Sequence, residues 1–173
     1  MTPPVFELKT DSIWVKITHD VLNPRETEEW CTTDEVGSVI QFVGTTRNNF
    51  EGRIVTRLEY ESDEQLALHQ LQEICEETIH TFTSSSSSSS TTSSSTSSST
   101  PHHIRICMHH RLGLVQVREA SILCCVSSPH RKEGFKMCEH LMNDLKAKVA
   151  IWKKECFEDG GSLWKENIEQ FQV

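Results

Sequence analysis

Residues 120–149 read ASILCCVSSPHRKEGFKMCEHLMNDLKAKV. This pattern predicts a buried strand that is followed, with almost no connecting sequence, by an amphipathic helix. Ala120 to Ser127 is largely apolar over the length of one strand, and Cys124 and Cys125 should point to its opposite faces. The helix predicted from about Pro129 to Val149 has apolar residues three or four positions apart. We expect these residues to face a core: Phe135, Cys138, Leu141, Met142, Leu145 and Val149. The stretch therefore predicts a helix packed on a sheet.

On both sides of this stretch, apolar periodicity predicts further strands and helices. Asn23, Pro24 and Glu26 form a helix start, with an N-cap, a proline at the first helical position and a glutamate at the third. A longer amphipathic helix is expected from Ser62 to Phe82. The predicted strands are Ser12 to Thr18, Gly37 to Val43 (ended by Gly44), Ile54 to Tyr60 (paired with the strand before it), and a strand containing Ile104, Ile106 and Met108. Strands thus group around three helices, which predicts one α+β domain rather than a series of βαβ units.

The chain has 173 residues, the length of one domain, with 25 acidic and 17 basic side chains and a net charge of −8. This acidic excess argues against general nucleic-acid binding. The charge is uneven, because residues 1–82 carry a net charge of −10, whereas residues 130–154 hold seven lysines or arginines and three acids. Such a basic stretch serves an anionic ligand or forms the solvated face of a helix.

Residues 83–100 are an uninterrupted tract of 13 serines and five threonines. The tract has no apolar surface to bury, so it predicts a disordered loop inserted in a single domain whose core spans about residues 36–166. A linker between two domains is the competing interpretation, and it is weaker because neither flank alone completes an α/β layer. No apolar run is long enough for a membrane span, and the sequence start does not have the pattern of a secretory signal.

The chain contains seven cysteines and nine histidines. The cysteine number is odd and no C-x-x-C occurs, so we expect neither a disulfide framework nor a zinc site. The pairs His102-His103 and His109-His110 have no carboxylate or cysteine at ligand spacing, so we expect no metal and no cofactor. Buried, reduced thiols without a secretory signal predict a cytosolic protein.

The junction between strand and helix, Ser127-Ser128-Pro129-His130-Arg131, is a candidate anion site. With Ser128 as the N-cap and Pro129 as the first helical residue, His130 and Arg131 would lie in the first turn beside free backbone N–H groups. Cations are disfavoured at a helix N-terminus, so their presence indicates a phosphate or carboxylate ligand. An ordinary solvent-facing first turn explains the same residues equally well.

A second basic group follows the helix, with Lys146, Lys148 and then Ile151-Trp152-Lys153-Lys154-Glu155. These lysines suit a solvated helix end, where cations complement the helix dipole. A lysine desolvated beside Trp152 and other cations would instead act as a nucleophile or proton donor. Spacing alone leaves both interpretations open.

Five motifs follow one another in a single order along the chain. They are Phe42-Val43-Gly44-Thr45-Thr46-Arg47-Asn48, Leu58-Glu59-Tyr60-Glu61, His110-Arg111-Leu112-Gly113, Ser127-Ser128-Pro129-His130-Arg131, and Leu145-Lys146 with Ile151-Trp152-Lys153-Lys154-Glu155. Each is weak alone, but in this order they are specific, and between about residues 36 and 166 the chain resembles the catalytic (large) subunits of eukaryotic molybdopterin synthases. The resemblance implies the α+β fold called a hammerhead, with mostly antiparallel sheet and three helices.

The resemblance also implies a reaction and its partners. Members of this family convert cyclic pyranopterin monophosphate into molybdopterin, in molybdenum cofactor biosynthesis, by adding the sulfurs of its dithiolene. The sulfur arrives as a thiocarboxylate on the C-terminal Gly-Gly tail of a ubiquitin-like small subunit. The large subunit forms a homodimer within a heterotetramer. The implied partners are therefore a second copy, the small subunit and the pterin, with no nucleic acid and no membrane.

Position by position, the resemblance also assigns the site residues. Lys146 would lie next to the thiocarboxylate and Lys153 would be the second catalytic lysine. The phosphate and pterin would be held by Arg47, His130 and Arg131, with residues from both protomers contributing. The whole expected substrate-binding set is Arg47, His130, Arg131, Lys146, Lys153, Lys154 and Glu155.

Three positions depart from the family pattern. Ala150 replaces a proline, Arg118 stands where a small residue is common, and Asp63 replaces an apolar residue. Loss of the proline predicts a looser turn before Lys153. The departures leave room for a second hypothesis, a non-catalytic homologue that binds the small subunit as a dimeric scaffold. A third hypothesis is a phosphoester-binding module that uses the strand–helix junction alone.

Overall fold

The computed structural model describes residues 5–84 and 104–165. In chain order these residues form β1 Phe6–Lys9, β2 Ile13–Thr18, α1 Pro24–Cys31, β3 Ser38–Thr45, β4 Asn49–Phe50, β5 Arg53–Ser62, α2 Glu64–Ser84, β6 Arg105–Arg111, β7 Gly113–Gln116, β8 Ala120–Ser128, α3 Arg131–Lys148, β9 Ile151–Phe157 and β10 Ser162–Lys165. Every helix and strand predicted from the sequence is present. The strands β1, β4, β7, β9 and β10 were not predicted.

The helix α1 begins as its sequence predicts, because the side chain of Asn23 accepts a hydrogen bond from the backbone N–H of Arg25 at 3.1 Å. The helix α2 continues through Thr83 and Ser84, the first two residues of the Ser/Thr tract. The rest of that tract and the pair His102-His103 lie outside the described residues. Within residues 5–84 and 104–165, no helix is both long and apolar enough to cross a membrane.

The first sheet has the strand order β1-β2-β6-β8-β3. Its β2 and β6 pair in parallel, and the other neighbouring strands are antiparallel. One face packs against α2 and α3, where Val15 and Cys124 join the main core. On the other face, Cys125 packs with Trp14 and with Cys31 of α1. The adjacent cysteines therefore point to opposite faces of the sheet, as predicted.

The second sheet has the order β10-β9-β5-β4, with β7 also paired to β5, and all these pairings are antiparallel. The prediction that β5 pairs with β3 is wrong. The reason is that the short strand β4 intervenes and forms the hairpin with β5, with Glu51 and Gly52 at positive φ in the turn. The chain thereby leaves the first sheet after β3. The prediction of an α+β fold, mostly antiparallel with three helices, is confirmed.

The junction between β8 and α3 differs from its prediction. β8 continues to Ser128, and α3 begins at Arg131 with His130 as its N-cap. Ser128 stays in the strand because it pairs with Ser38 of β3, and its hydroxyl donates to the carbonyl oxygen of His130 at 2.9 Å. The predicted N-cap at Ser128 and first helical residue at Pro129 are therefore wrong by two residues.

The buried face of α3 is centred slightly differently from the predicted one. Phe135 is 60% exposed, so its predicted place in the core is wrong. The helix approaches the sheet through Gly134, where a Cβ would lie only 2.8 Å from Ser128 Oγ, and Phe135 lies about 100° further round the helix. The residues that α3 does bury are Gly134, Met137, Cys138, Leu141 and Leu145.

Candidate active site

A cavity of about 390 Å³ lies where β3, β8 and α3 meet the second sheet. Its lining includes four residues of the expected site, namely Arg47, Lys146, Lys153 and Glu155. Small-ligand sites in proteins have volumes of roughly 300–1,000 Å³, so the cavity has room for one small molecule. The fold thus gathers in one place charged side chains that are far apart in the sequence.

The strand β3 supplies one wall of the cavity. Gly44 was predicted to end this strand but lies inside it, because β3 continues to Thr45 with a shift in register between the two residues. A Cβ on Gly44 would clash with Ile122 of β8, so glycine is what allows the two strands to lie this close. Beyond the strand, Arg47 is exposed and lies at the rim of the cavity.

The lysines that follow α3 lie on a strand, β9, and therefore alternate between its two faces. Lys153 and Glu155 line the cavity, with Lys153 Nζ 3.9 Å from Glu155 Oε1. Lys154 points to the other face, where its Nζ lies 3.3 Å from Glu59 Oε2. Lys154 and Glu155 were both expected to bind the substrate. The cavity of this chain contains Glu155 and not Lys154.

Two hydrogen bonds restrain the turn before β9. The backbone N–H of Ala150 donates to Gln70 Oε1 at 2.8 Å, and its carbonyl oxygen accepts from Ser62 Oγ at 2.9 Å. A proline at this position would have no N–H to donate. We expected this turn to be loose, but the hydrogen bonds of Ala150 hold it in place. The turn leads directly into β9, which carries Lys153.

Lys146 reaches the cavity from the last turn of α3. Met142, four positions earlier on the same face of the helix, and the adjacent Leu145 line the same cavity. Lys146 is half-buried beside these apolar residues, as is common for a lysine whose aliphatic stem covers apolar surface.

Three buried polar side chains on the cavity lining were assigned no role from the sequence. The hydroxyl of Tyr60 donates to Ser121 Oγ at 3.2 Å, and Ser121 Oγ donates to the carbonyl oxygen of Gly44 at 3.3 Å. The ring of His110 packs edge-on against Tyr60, and its Nδ1 donates to the carbonyl oxygen of Arg111 at 2.9 Å. In β5 the buried positions alternate and include Tyr60, a signal that the sequence offers, whereas β6 and β8 are buried almost throughout and give no such signal for His110 and Ser121.

Buried imidazoles predict that the protein loses stability at acidic pH. Burial lowers the pKa of His110 to about 4 and that of His109 to about 3. An unfolded histidine has a pKa near 6.5, so between about pH 6.5 and 4.5 only the unfolded state takes up these protons. We expect urea denaturation to show that the free energy of unfolding is insensitive to these rings above pH 7 and falls by roughly 1–3 kcal/mol per ring towards pH 4.5.

The control for this prediction is a histidine on the surface. The variant His110→Phe should show a flatter pH dependence than the wild type. The variant His69→Phe removes a ring that is 67% exposed on α2 and should leave the dependence unchanged. A profile in His110→Phe that is as steep as that of the wild type would contradict the prediction.

His130 and Arg131 lie at the opposite end of α3 from Lys146. Fifteen helical residues separate Arg131 from Lys146, and a rise of 1.5 Å per residue places them roughly 22 Å apart. Neither His130 nor Arg131 lines the cavity of its own chain. The side chain of His130 makes no capping hydrogen bond, so the N-cap position holds the backbone of α3 without using the imidazole.

The groups on the cavity are ammonium, guanidinium, carboxylate, hydroxyl and imidazole groups. All seven cysteines are buried and free, and burial raises the pKa of Cys75 and Cys107. In the described part of the chain, no three His, Cys, Asp or Glu side chains are grouped so that they could hold a metal ion. The cavity is therefore suited to holding anions and to stabilising negative charge.

Comparison with known proteins gives consistent matches over most of the chain. A family model described as MoaE protein matches residues 17–148. The chain is 39% identical over 158 residues to a molybdopterin synthase catalytic subunit of Taeniopygia guttata, covering 91% of this chain and 90% of that protein. It is also 39% identical to molybdopterin synthase catalytic subunit 1 of Aedes aegypti, covering 90% of each protein. A crystal structure of molybdopterin synthase from Staphylococcus aureus, 28% identical, has a TM-score of 0.72 and covers 86% of this chain and 94% of its own.

Proposed function

The chain belongs to the MoaE protein family, and on this premise we propose that it is the catalytic subunit of a molybdopterin synthase. In this role it takes sulfur from the thiocarboxylated C-terminus of a ubiquitin-like small subunit. It transfers the sulfur to cyclic pyranopterin monophosphate, and the product carries the dithiolene of molybdopterin. The family resemblance is confirmed by the family model over residues 17–148 and by the relatives that match about 90% of the chain.

The proposal rests on the convergence of Arg47, Lys146 and Lys153 on one cavity of suitable size. Both reactants are anionic, since the pterin carries a phosphate and the small subunit ends in a thiocarboxylate. Ammonium and guanidinium groups form strong, charge-assisted hydrogen bonds with such groups. Three cations and one carboxylate, Glu155, give the cavity an excess of positive charge, which favours anionic ligands and supports a site for these reactants.

Lys146 and Lys153 act on the tail of the small subunit. When the bond between the acyl carbon and sulfur is made or broken, negative charge builds up on the carbonyl oxygen. An ammonium group already held in position stabilises that charge without rearrangement of solvent. Lys153 is held in the wall beside Glu155, and the inserted tail excludes water, which strengthens the interaction.

His130 and Arg131 serve the cavity of a second copy. Their distance from Lys146 within one chain is too large for them to touch the same small substrate. We infer that in the homodimer the start of one α3 lies at the cavity of its partner. There they hold the phosphate together with Arg47. Lys154 binds substrate from the outer face of β9, where it lies next to Glu59. Two such chains and two small subunits form the heterotetramer.

The cytosol is the compartment that suits this chemistry. The seven cysteines are all free and buried, a state that persists where thiols are kept reduced. A thiocarboxylate is likewise preserved in a reducing compartment. We therefore place the protein in the cytosol.

Reconstitution tests the proposed function. The purified chain, mixed with thiocarboxylated small subunit and cyclic pyranopterin monophosphate, should form molybdopterin, measured as its fluorescent oxidised derivative. Small subunit that ends in an ordinary carboxylate is the control and should give no product. If the small subunit binds but no product forms at any ratio, the protein is instead a non-catalytic dimeric scaffold.

A further inference from the structure

Glu155 is a buried carboxylate with one oxygen that the protein leaves unsatisfied. The residue is 5% exposed, and its Oε2 accepts no hydrogen bond from any residue that the structure describes. Its Oε1 lies 3.9 Å from Lys153 Nζ, beyond ordinary hydrogen-bond distance. Buried polar groups in native proteins nearly always have partners, and a carboxylate without one is costly. Since Glu155 lines the cavity, the missing donor is expected to come from a ligand.

The neighbouring side chains do not supply that donor. The hydroxyl proton of Tyr60 is used by Ser121, and the hydroxyl proton of Ser121 is used by the carbonyl oxygen of Gly44. Tyr60 and Glu155 line the same cavity, and burial, reinforced by the negative charge of Glu155, raises the pKa of Tyr60. The hydrogen of His110 Nδ1 is directed to the carbonyl oxygen of Arg111. The donors of Tyr60, Ser121 and His110 are thus already engaged, and the ammonium group of Lys153 lies 3.9 Å from Oε1, beyond ordinary hydrogen-bond distance.

The charge distribution also sets the direction in which a phosphorylated ligand enters. Arg47 is exposed at the rim, whereas Glu155 is buried in the interior. Lys146 and Lys153 also line the cavity, but in the proposed function they serve the thiocarboxylate tail, which leaves the guanidinium of Arg47 for the phosphate. The phosphate is attracted by that guanidinium and repelled by the carboxylate, so it lies towards the rim. The opposite end of the ligand then faces Glu155, and that end must carry N–H donors.

A fused 2-amino-4-oxopyrimidine ring has such an end, because its ring N3–H and its exocyclic amino group lie side by side. We propose that Glu155 is the specificity-determining residue that binds this edge of the pterin, with Oε2 as the primary acceptor. This role of Glu155 rests on the proposed function. It adds which edge of the substrate the site binds and why a ring without the amino group binds more weakly. Hydrogen bonds to a charged partner of this kind give discrimination of about 10- to 100-fold.

The test compares two ligands on the full-length chain. Neopterin monophosphate carries the 2-amino group, and the corresponding lumazine carries an oxygen in its place. Titration followed by ligand fluorescence should show that the wild type binds the pterin about 10- to 100-fold more tightly than the lumazine. In Glu155→Gln this preference should fall to about threefold or less, because the amide presents one acceptor and a competing donor. The matched control Glu158→Gln removes the same charge from the exposed turn after β9 and should retain the preference.

A second measurement needs no variant and holds even if Glu155→Gln does not fold. An N3-methyl pterin monophosphate lacks one of the two donors and should bind the wild type about tenfold more weakly than the unmodified pterin. Equal binding of the two, or an unchanged preference in Glu155→Gln, would overturn the assignment. Failure of the proposed function gives a different result, in which the pterin preference depends on Glu155 but reconstitution yields no molybdopterin.

Discussion

Lys146→Ala is expected to lower the rate of molybdopterin formation by about 10²- to 10³-fold, the usual cost of removing one preorganised group that stabilises an oxyanion. The ammonium group of Lys146 lies on the cavity at the end of an apolar wall formed by Met142 and Leu145. In the proposed function, its loss removes the charge that stabilises the carbonyl oxygen of the tail. Single-turnover kinetics with saturating thiocarboxylated small subunit measures this step directly, free of any change in binding of the small subunit.

The matched control is Lys148→Ala. Lys148 lies in the same turn of α3 but is exposed and pairs with Asp144 at 2.9 Å and Glu77 at 3.1 Å, outside the cavity. Its removal should leave the rate within about twofold of the wild type, since exposed ion pairs contribute little. Normal turnover by Lys146→Ala would disprove the role assigned to that lysine. Equal losses in both variants would point to damage to the end of the helix instead.

Mixing two inactive variants is expected to restore activity. In the proposed homodimer, Arg131→Ala removes a cation from the partner's cavity, and Lys146→Ala removes one from the chain's own cavity. In a dimer of one copy of each, one cavity has both defects and the other has none. After random exchange of subunits half of the dimers are mixed, so about a quarter of all cavities are intact and activity should recover to about a quarter of the wild type. Each variant alone should remain at least about tenfold below that level, because a charged hydrogen-bonding partner is lost.

The control for this experiment uses two residues of the same cavity. Lys146 and Lys153 both line the cavity of one chain, so a mixture of Lys146→Ala and Lys153→Ala leaves every cavity with a defect. That mixture should show no recovery. If the mixture of Lys146→Ala and Arg131→Ala also fails to recover after proven subunit exchange, the two residues act in the same chain's cavity or Arg131 has no part in the site.

Most elements of the fold follow from local patterns. The apolar residues of β2, β8 and α3 have the spacing of the structures that they form, and the Asn23-Pro24 start of α1 is recognisable because capping involves only neighbouring residues. The pairing of β5 was predicted wrongly because pairing joins residues that are distant in sequence. Nothing local to β3 or β5 indicates that β4 intervenes between them. The short strands β1, β4, β7 and β10 were missed for a similar reason, since four residues or fewer carry little periodicity.

The sequence predicted which residues belong to the candidate site but not how their side chains are arranged around the cavity. Arg47, Lys146, Lys153 and Glu155 were all expected, and they meet at one cavity. Their motifs stand in a recognisable order, which is a property of the chain alone. Lys154 was expected beside them, and its separation depends on β9 being a strand, where neighbouring side chains point to opposite faces.

The amino-acid sequence by itself determined the class of fold, the family and the chemical types of the site residues, because these depend on local periodicity and on the order of motifs. Only the tertiary structure decided that Glu155 is buried with an unsatisfied oxygen, that Tyr60, Ser121 and His110 line the cavity, and that His130 and Arg131 lie roughly 22 Å from Lys146. Each of these results depends on which segments pack against one another. Packing is set by the whole core rather than by neighbours in the chain, so a local pattern does not contain it.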